Sequence, residues 1–467
     1  MMPLRPIKHA FHDRYLALAL AQMGLCAVAV LAAASLRFIH VGWPGVASIG
    51  PLGPKILALS LTLVTAMYAL GLYQRFVPMR PEEIAVRVLA ACGLTWAGLA
   101  LLYYLLPDLY LGRGVMALTL LFVAPALITT QVLFQRWGDD AQIKPRVLVL
   151  GAGRRAADLF VRLGAPRGSR LVGFVRTASD QPAANLPGPI VRAGPARLVE
   201  LARRLRVDEI VVAPDDRRGA LPLDALLACR AMGIRITDAV GFVERETGKV
   251  LLDLLHPSAL IYTSGGFGSA LYPYGKRVFD ILAAALLLLL AAPLMALAAL
   301  AIRLEDGAGA PVFYRQVRIG QGGRPFSIWK FRSMSVDAEQ AGAPVWAQAN
   351  DPRVTRVGRV IRKYRIDELP QLFNVLRGEM SLVGPRPERP EFVARLAAGI
   401  PFYDVRHRLA PGLTGWAQLN YRYGDTEADA REKLQYDLYY LKHQSLLFDL
   451  MICLLTVEVV LFGKGAR

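Results

Sequence analysis

The chain has 467 residues, of which 54% are hydrophobic and 20% charged, with a mean hydropathy of +0.36. It is too long for one ordinary core, too apolar for a wholly soluble protein and too charged for one sunk entirely in a bilayer, so membrane segments joined to water-exposed domains are expected. The 55 Lys and Arg against 37 Asp and Glu give a formal charge of +18, which favours lipid headgroups, nucleotides or polyphosphates as partners, while no helix-turn-helix, zinc-finger or RNA-recognition pattern supports nucleic acid.

Four apolar segments open the chain, at residues 15–39, 55–73, 84–106 and 115–134. Each is about the 20 residues that a hydrocarbon core requires. The first has no small-residue cleavage site and reads as an anchor. Arg5, Lys8 and Arg14 precede the first segment, Arg75, Arg80 and Arg87 surround the second loop, and Arg136, Lys144 and Arg146 follow the fourth. The other loops carry little beyond Lys55 and Arg113, so the positive-inside rule puts both ends of this four-helix region in the cytoplasm.

From Pro145 short strands and helices alternate, "RVLVLGAGRRAADLFVRL" first among them, and predict a small parallel Rossmann-like α/β unit. Gly151 and Gly153 fall at its first strand-to-helix turn, where a diphosphate could approach the helix N-terminus. Arg176 follows the second strand where an acid for a ribose would stand, and Asp180 comes late. Two readings stay open: a nucleotide site, or a structural or regulatory module without that ligand. Cys26, Cys92, Cys229 and Cys453 are scattered and suggest neither disulfides nor a CxxC metal site.

"YPYGK" at Tyr272–Lys276 matches the Tyr-x-x-x-Lys pair of short-chain nucleotide-sugar dehydratases and epimerases. That pair needs a helix to share a face, and Pro273 and Gly275 disfavour one. A fifth apolar stretch follows from Phe279, interrupted near its middle by Pro293. Lys276 and Arg277 lie before it and Arg303, Arg315, Arg318 and Arg324 after it. Basic flanks on both sides and a proline break predict a re-entrant helix over residues 277–304 that returns to the cytoplasmic face.

Beyond it Arg and Lys recur among Gly and Pro, in "VFYRQVRIGQGGRPFSIWKFRSM", "RKYRIDELPQLFNVLRGEMSLVGPRPERP" and "YDVRHRLAPGLTGWAQ". Guanidinium groups clustered beside rigid turns suit a phosphate-rich ligand. In that field Asp367 and Glu368 are expected to have depressed pKa values and stay ionised, able to hold a divalent metal or to attack phosphorus. Taken alone, an Asp-Glu pair is ordinary in the first turn of a helix. The tail "SLLFDLMICLLTVEVVLF" is interrupted by Asp449 and Glu458, which favours an interfacial or core helix over a sixth span.

About 200 C-terminal residues resemble the bacterial sugar transferase family, the monotopic phosphoglycosyl transferases or polyprenyl-phosphate hexose-1-phosphate transferases. Lys276, Arg277 and Pro293, "KFRSM" at 330–334, "DELPQL" at 367–372, "SLVGPRP" at 381–387 and "PGLTGWAQ" at 411–418 carry the resemblance in order. The four leading spans and Rossmann-like part resemble its large, exopolysaccharide-initiating subgroup. Small members often have Ser-Pro at the helix break, where this chain has Ala292-Pro293.

The resemblance implies that Asp367 is the nucleophile on the β-phosphorus of a UDP-sugar, with UMP released and the sugar phosphate passed to undecaprenyl phosphate through a covalent aspartyl intermediate. It implies Mg²⁺, held by Asp367 and Glu368. Arg386, fixed between Pro385 and Pro387, is the first candidate for a phosphate clamp, followed by Lys330 and Arg332, then Arg406 and His407. The expected architecture is a transmembrane region at 1–144, a Rossmann-like domain at 145–262 and a mainly helical catalytic domain at 263–467, in the bacterial inner membrane with the catalytic domain cytoplasmic. Direct displacement, and a nucleotide-sensing membrane scaffold without catalysis, are the alternatives. The sequence leaves the sugar and the oligomeric state, a homodimer included, open.

Overall fold

The structure is a computed structural model and describes residues 13–73, 81–138, 144–164, 169–178, 180, 181, 185–191, 197–216, 221–254, 272–307, 309–335, 351, 353–421, 424 and 426–461. Arg5, Lys8, Arg75 and Arg80, and the expected boundary at 262/263, lie outside them. The chain divides into two compact units, one of Met1–Gln74, Met79–Gln131 and Ser258–Arg467, the other of Arg75–Pro78 and Val132–Pro257.

The first unit opens with helices α1 (Asp13–Arg37), the short α2 (Trp43–Ala47), α3 (Leu52–Ala69), α4 (Pro81–Leu105) and α5 (Arg113–Gly138). Four of these five, all but α2, are long and apolar enough to cross a membrane. Their polar residues satisfy backbone that a helix end leaves over. Arg87 donates to the Leu70 carbonyl at 2.6 Å and Gln131 to the Leu72 carbonyl at 3.2 Å, just past the end of α3. In an apolar surround an unpaired carbonyl costs several kcal/mol, on the order of a lost hydrogen bond without water to replace it.

The second unit is a parallel sheet in the order β3-β2-β1-β4-β5, built from β1 (Arg146–Leu150), β2 (Arg170–Val175), β3 (Ile190–Val191), β4 (Glu209–Val212) and β5 (Arg235–Asp238). Helices α6 (Arg154–Leu163), α7 (Leu198–Arg204), α8 (Leu223–Ala231) and α9 (Ala239–Thr247) follow β1, β3, β4 and β5 in turn. Side chains of β1 alternate between two cores: Val147 and Val149 meet Phe160 and Phe242, whereas Leu148 and Leu150 meet Leu198 and Cys229. Burial on both faces explains the unbroken apolar run of β1. The predicted Rossmann-like arrangement is present.

The first unit resumes with α10, which runs 35 residues from Tyr272 to Asp306 through Pro293. Only 11% of its most apolar window is buried within the protein. Its start corrects the expectation that Pro273 and Gly275 disfavour a helix. Pro273 occupies the first turn, where an amide hydrogen has no intrahelical acceptor and its loss costs nothing. Tyr272 and Lys276 do share a face, and both reach Asp449 Oδ2, at 3.1 and 3.0 Å. Their partner is a structural carboxylate, which Tyr440 also bonds through Oδ1 at 2.5 Å.

After α10 come the antiparallel hairpin β6 (Phe313–Ile319) and β7 (Pro325–Phe331), helices α11 (Arg356–Lys363) and α12 (Gln371–Arg377), strand β8 (Ser381–Val383), α13 (Pro390–Gly399), β9 (Gly412–Thr414), α14 (Trp416–Asn420), α15 (Glu427–His443) and α16 (Leu446–Leu461). The tail helix α16 buries Phe448, Asp449, Met451, Ile452 and Leu455, so its acid marks a core contact.

Both ends of α10 dock on this region. Arg277 donates to the Val375 and Leu376 carbonyls at 2.6 and 2.7 Å, closing the C-terminus of α12, and Asp280 accepts the Leu382 amide at 3.1 Å. At the other end Glu305 accepts the Arg356 and Val357 amides at 2.7 and 3.0 Å, closing the N-terminus of α11. Each charge opposes the helix dipole it meets. Ala298 and Ile302 pack with Val312, Phe331 and Ile361.

Candidate active site

The turn that carries Asp367 and Glu368 lies between two anchored helices. Thr355 caps α11 by accepting the Gly358 amide at 2.9 Å. After Tyr364 the chain reverses at Arg365, whose φ of 58° is left-handed, a conformation a non-glycine residue adopts at some cost. A 3-10 turn, Ile366–Glu368, follows. Ile366 packs against the Ala298–Phe331 cluster, which fixes the register of the next two side chains. On the far side α12 is tied to the hairpin by Asn374, which accepts the Trp329 amide at 3.1 Å and donates to Ser327 and Glu379 at 2.8 and 2.7 Å.

Arg386 arrives from the loop after β8. Strands β8 and β9 pair in parallel, Ser381 with Gly412 and Val383 with Thr414. A Cβ on Gly384 or Gly412 would strike the backbone facing it, so glycine is required at this crossing. Arg406 then holds the Arg386 carbonyl at 3.0 Å while its own guanidinium pairs with Asp437 at 2.9 Å and Tyr403 at 2.9 Å.

Three cations converge on one oxygen. Glu368 Oε1 lies 2.8 Å from Arg386 Nη2, 3.3 Å from Lys330 Nζ and 3.6 Å from Arg365 Nη1. Asp367 is equally buried, each residue being 8% exposed, yet its Oδ1 accepts no hydrogen bond among the described residues. The expectation that both carboxylates are depressed therefore holds for one and is corrected for the other. Burial alone would raise Glu368, but Arg386, Lys330 and Arg365 outweigh it and keep it well below the carboxylate range. Burial, with the Glu368 charge beside it, lifts Asp367 to about 6 against the pull of Lys330, Arg365 and Arg362.

The predicted residues thus separate by position. Asp367, Glu368, Lys330 and Arg386 form one cluster. Pro385 and His407 line a shallow depression beside Arg386, with Ile319, Gly320 and Glu388. His407 Nδ1 is 3.7 Å from Asp404, and burial together with Arg406 lowers its pKa, which keeps the ring neutral. Arg406 is buried behind Arg386 and supports it. Arg332 is buried, its amide bonded to the Val312 carbonyl at 2.9 Å. Sequence reasoning missed Arg365, Asn374 and Asp437. A polar Asn in the apolar run "LFNVL" was the available signal for the second.

A sequence profile described as bacterial sugar transferase matches residues 271–463, the stretch that contains this whole cluster, and one described as a CoA-binding domain matches residues 68–218. The chain is 50% identical over 193 residues to a UDP-glucose:undecaprenyl-phosphate glucose-1-phosphate transferase of Caulobacter vibrioides, over 41% of this chain and 71% of that protein. The chain belongs to the bacterial sugar transferase family.

Other relatives of this bacterial sugar transferase extend further along it. A UDP-N-acetylgalactosamine-undecaprenyl-phosphate N-acetylgalactosaminephosphotransferase of Aeromonas hydrophila is 44% identical over 264 residues, 56% of this chain and 61% of that protein. An undecaprenyl-phosphate glucose phosphotransferase of Komagataeibacter xylinus is 36% identical over 335 residues, 69% of this chain and 60% of that protein. The match spans about three fifths of the length of each of these two relatives. All three names contain undecaprenyl phosphate, and the sugars they give differ.

Proposed function

We propose that the chain transfers a sugar 1-phosphate from a UDP-sugar to undecaprenyl phosphate, releasing UMP, as the first membrane step of exopolysaccharide or other surface glycan synthesis. The observation that carries this reading is the asymmetric pair: Glu368 neutralised by three cations beside a buried Asp367 oxygen that accepts no hydrogen bond among the described residues. Glu368 serves as the anchor that holds Arg386, Lys330 and Arg365 around the diphosphate, and Asp367 as the nucleophile.

Lys330, Arg365 and Arg362 favour the ionised form of Asp367, while burial strips it of the water that would blunt its attack. Its carboxylate oxygen bonds to the β-phosphorus. The bond from that phosphorus to the bridging oxygen breaks, and UMP leaves with the oxygen and its electron pair. The sugar phosphate stays on Asp367 as an acyl phosphate. An oxygen of undecaprenyl phosphate then attacks the same phosphorus, the acyl-phosphate bond breaks, and the carboxylate is restored. Splitting the transfer in two spares the soluble donor and the lipid acceptor from meeting.

Mg²⁺ fits this site, because a buried carboxylate oxygen with no hydrogen-bond partner among the described residues is a hard donor of the kind that binds the ion together with substrate phosphates. Asp367 would hold it, since Glu368 Oε1 is committed to three cations. When bound, the ion would offset the repulsion between an attacking anion and an anionic diphosphate.

The docking of α10 supports a re-entrant helix in the inner membrane, with the site on the cytoplasmic side. A straight helix would separate Arg277 from Ile302 by about 37 Å at its rise per residue. Yet Arg277 holds Val375, next to Asn374, which bonds Trp329, two residues along β7 from Phe331 in the Ile302 cluster. Docking of both ends on one region is what a bend at Pro293 would produce. Basic flanks on both sides agree with a return to one face.

The test is UMP release by the purified chain with Mg²⁺ but no lipid, using UDP-glucose and UDP-N-acetylgalactosamine in turn, with mass spectrometry of the Asp367 peptide. A UMP burst and a sugar phosphate on Asp367 are expected from the true donor. Activity only once undecaprenyl phosphate is added would favour direct displacement, and no transfer from any donor would favour the scaffold.

A further inference from the structure

The GAG turn of the second unit has the form of a nucleotide seat. It lies between β1 and β4, where the strand order reverses, at the carboxyl ends of the strands and ahead of α6. Dinucleotides bind parallel sheets at that crevice, with their diphosphate on the amide hydrogens of the first helical turn.

In this chain those amides are already taken by carboxylates of the same unit. Asp215, just beyond β4, accepts the Arg155 amide at 2.8 Å, the Gln181 amide at 2.9 Å and the Arg154 amide at 3.3 Å. Asp180, beyond β2, accepts the Thr177 amide at 2.6 Å and the Ala152 amide at 2.9 Å, and its other oxygen accepts the Asp215 amide at 3.3 Å. The Asp215 carboxyl stands so close to Gly153 that a Cβ there would overlap it. In a nucleotide site the glycine admits a phosphate. Here it admits Asp215.

We propose that Asp215, with Asp180, is a built-in substitute for phosphate that closes the diphosphate seat of this unit, so that it takes neither a dinucleotide nor coenzyme A at the GAG turn. A diphosphate approaching the turn would find its donors occupied and two negative charges in its way. The late position of Asp180, which does not suit a ribose, suits this role. The CoA-binding description of residues 68–218 does not transfer to these residues. The inference is independent of the chemistry at Asp367.

Hydrogen exchange of the full-length chain in lipid nanodiscs, read at residues 151–160, tests it, with residues 366–377 as the control for the other unit. Millimolar pyrophosphate, ADP, NAD or coenzyme A should leave exchange of the wild-type segment unchanged. Asp215→Ala should exchange about tenfold faster there, since a helix N-terminus loses its anion, and pyrophosphate should restore its protection. Gly153→Ala should loosen the segment in the wild type but add nothing to Asp215→Ala, because the overlap is gone. Should Asp215→Ala unfold the sheet, Asp215→Asn, which keeps an acceptor without the charge, takes its place. Protection of the wild-type segment by any of the four ligands, or failure of pyrophosphate to protect the variant, overturns the proposal.

Discussion

Replacing Asp367 by Asn should abolish transfer and at the same time make the protein more stable. Asp367 is lifted from an ordinary 3.8 to about 6 in the folded chain, a difference of about two units. At 1.36 kcal/mol per unit the buried charge, beside that of Glu368, costs the folded state on the order of a few kcal/mol once ionised. The sign follows from the direction of the shift. A carboxyl raised on folding binds its proton more tightly when folded, so the cost is complete above pH 6, fades as pH falls toward 4, and is absent below. Asn has the shape of the neutral acid and avoids it. Pulse proteolysis across a urea gradient in nanodiscs should give Asp367→Asn an advantage on the order of a few kcal/mol at pH 8 and almost none near pH 4. Equal stability at pH 8, or an advantage that persists at pH 4, would refute the placement of a strained charge at Asp367.

Three further outcomes follow from the same geometry. The rate of UMP release should fall on the acid side as Asp367 takes up its proton, and Glu368→Gln, which removes the like charge beside Asp367, should move that acid limb lower while reducing the maximum rate; an unmoved limb would mean the titrating group is another. Asp437→Asn leaves the buried Arg406 without its counter-charge, so stability should drop by about 3–5 kcal/mol, and UMP release should slow through the loosened Arg386 with little change in the pH limb. Pro293→Leu should favour a straight α10, which cysteine labelling of residues after 307 from the two sides of the membrane would register as a change of side, with loss of transfer.

The candidate site was legible because its residues lie in short contiguous motifs: "DELPQL" supplies both carboxylates and "GPRP" the arginine proposed as the clamp. The sheet was legible because β1 is buried on both faces and its run is unbroken. What escaped is set by long-range convergence. Lys330 and Arg386 reach Glu368 from 38 and 18 residues away, and only their arrival on the same oxygen separates the pKa values of two adjacent acids. Asp215 meets the Arg155 amide across 60 residues, which no local pattern around "GAGRRA" could reveal. At Tyr272 composition misled, because a proline that breaks a helix interior is harmless in its first turn.

The two caps supplied by α10 bear on any attempt to obtain the catalytic region without lipid. Cutting the chain after the membrane segment would remove Arg277 from the end of α12, Asp280 from the Leu382 amide and Glu305 from the start of α11. The turn that bears Asp367 lies between those helices, so a soluble truncation would fray that turn from both directions. Its inactivity would then report missing hydrogen-bond partners, not the absence of a lipid acceptor.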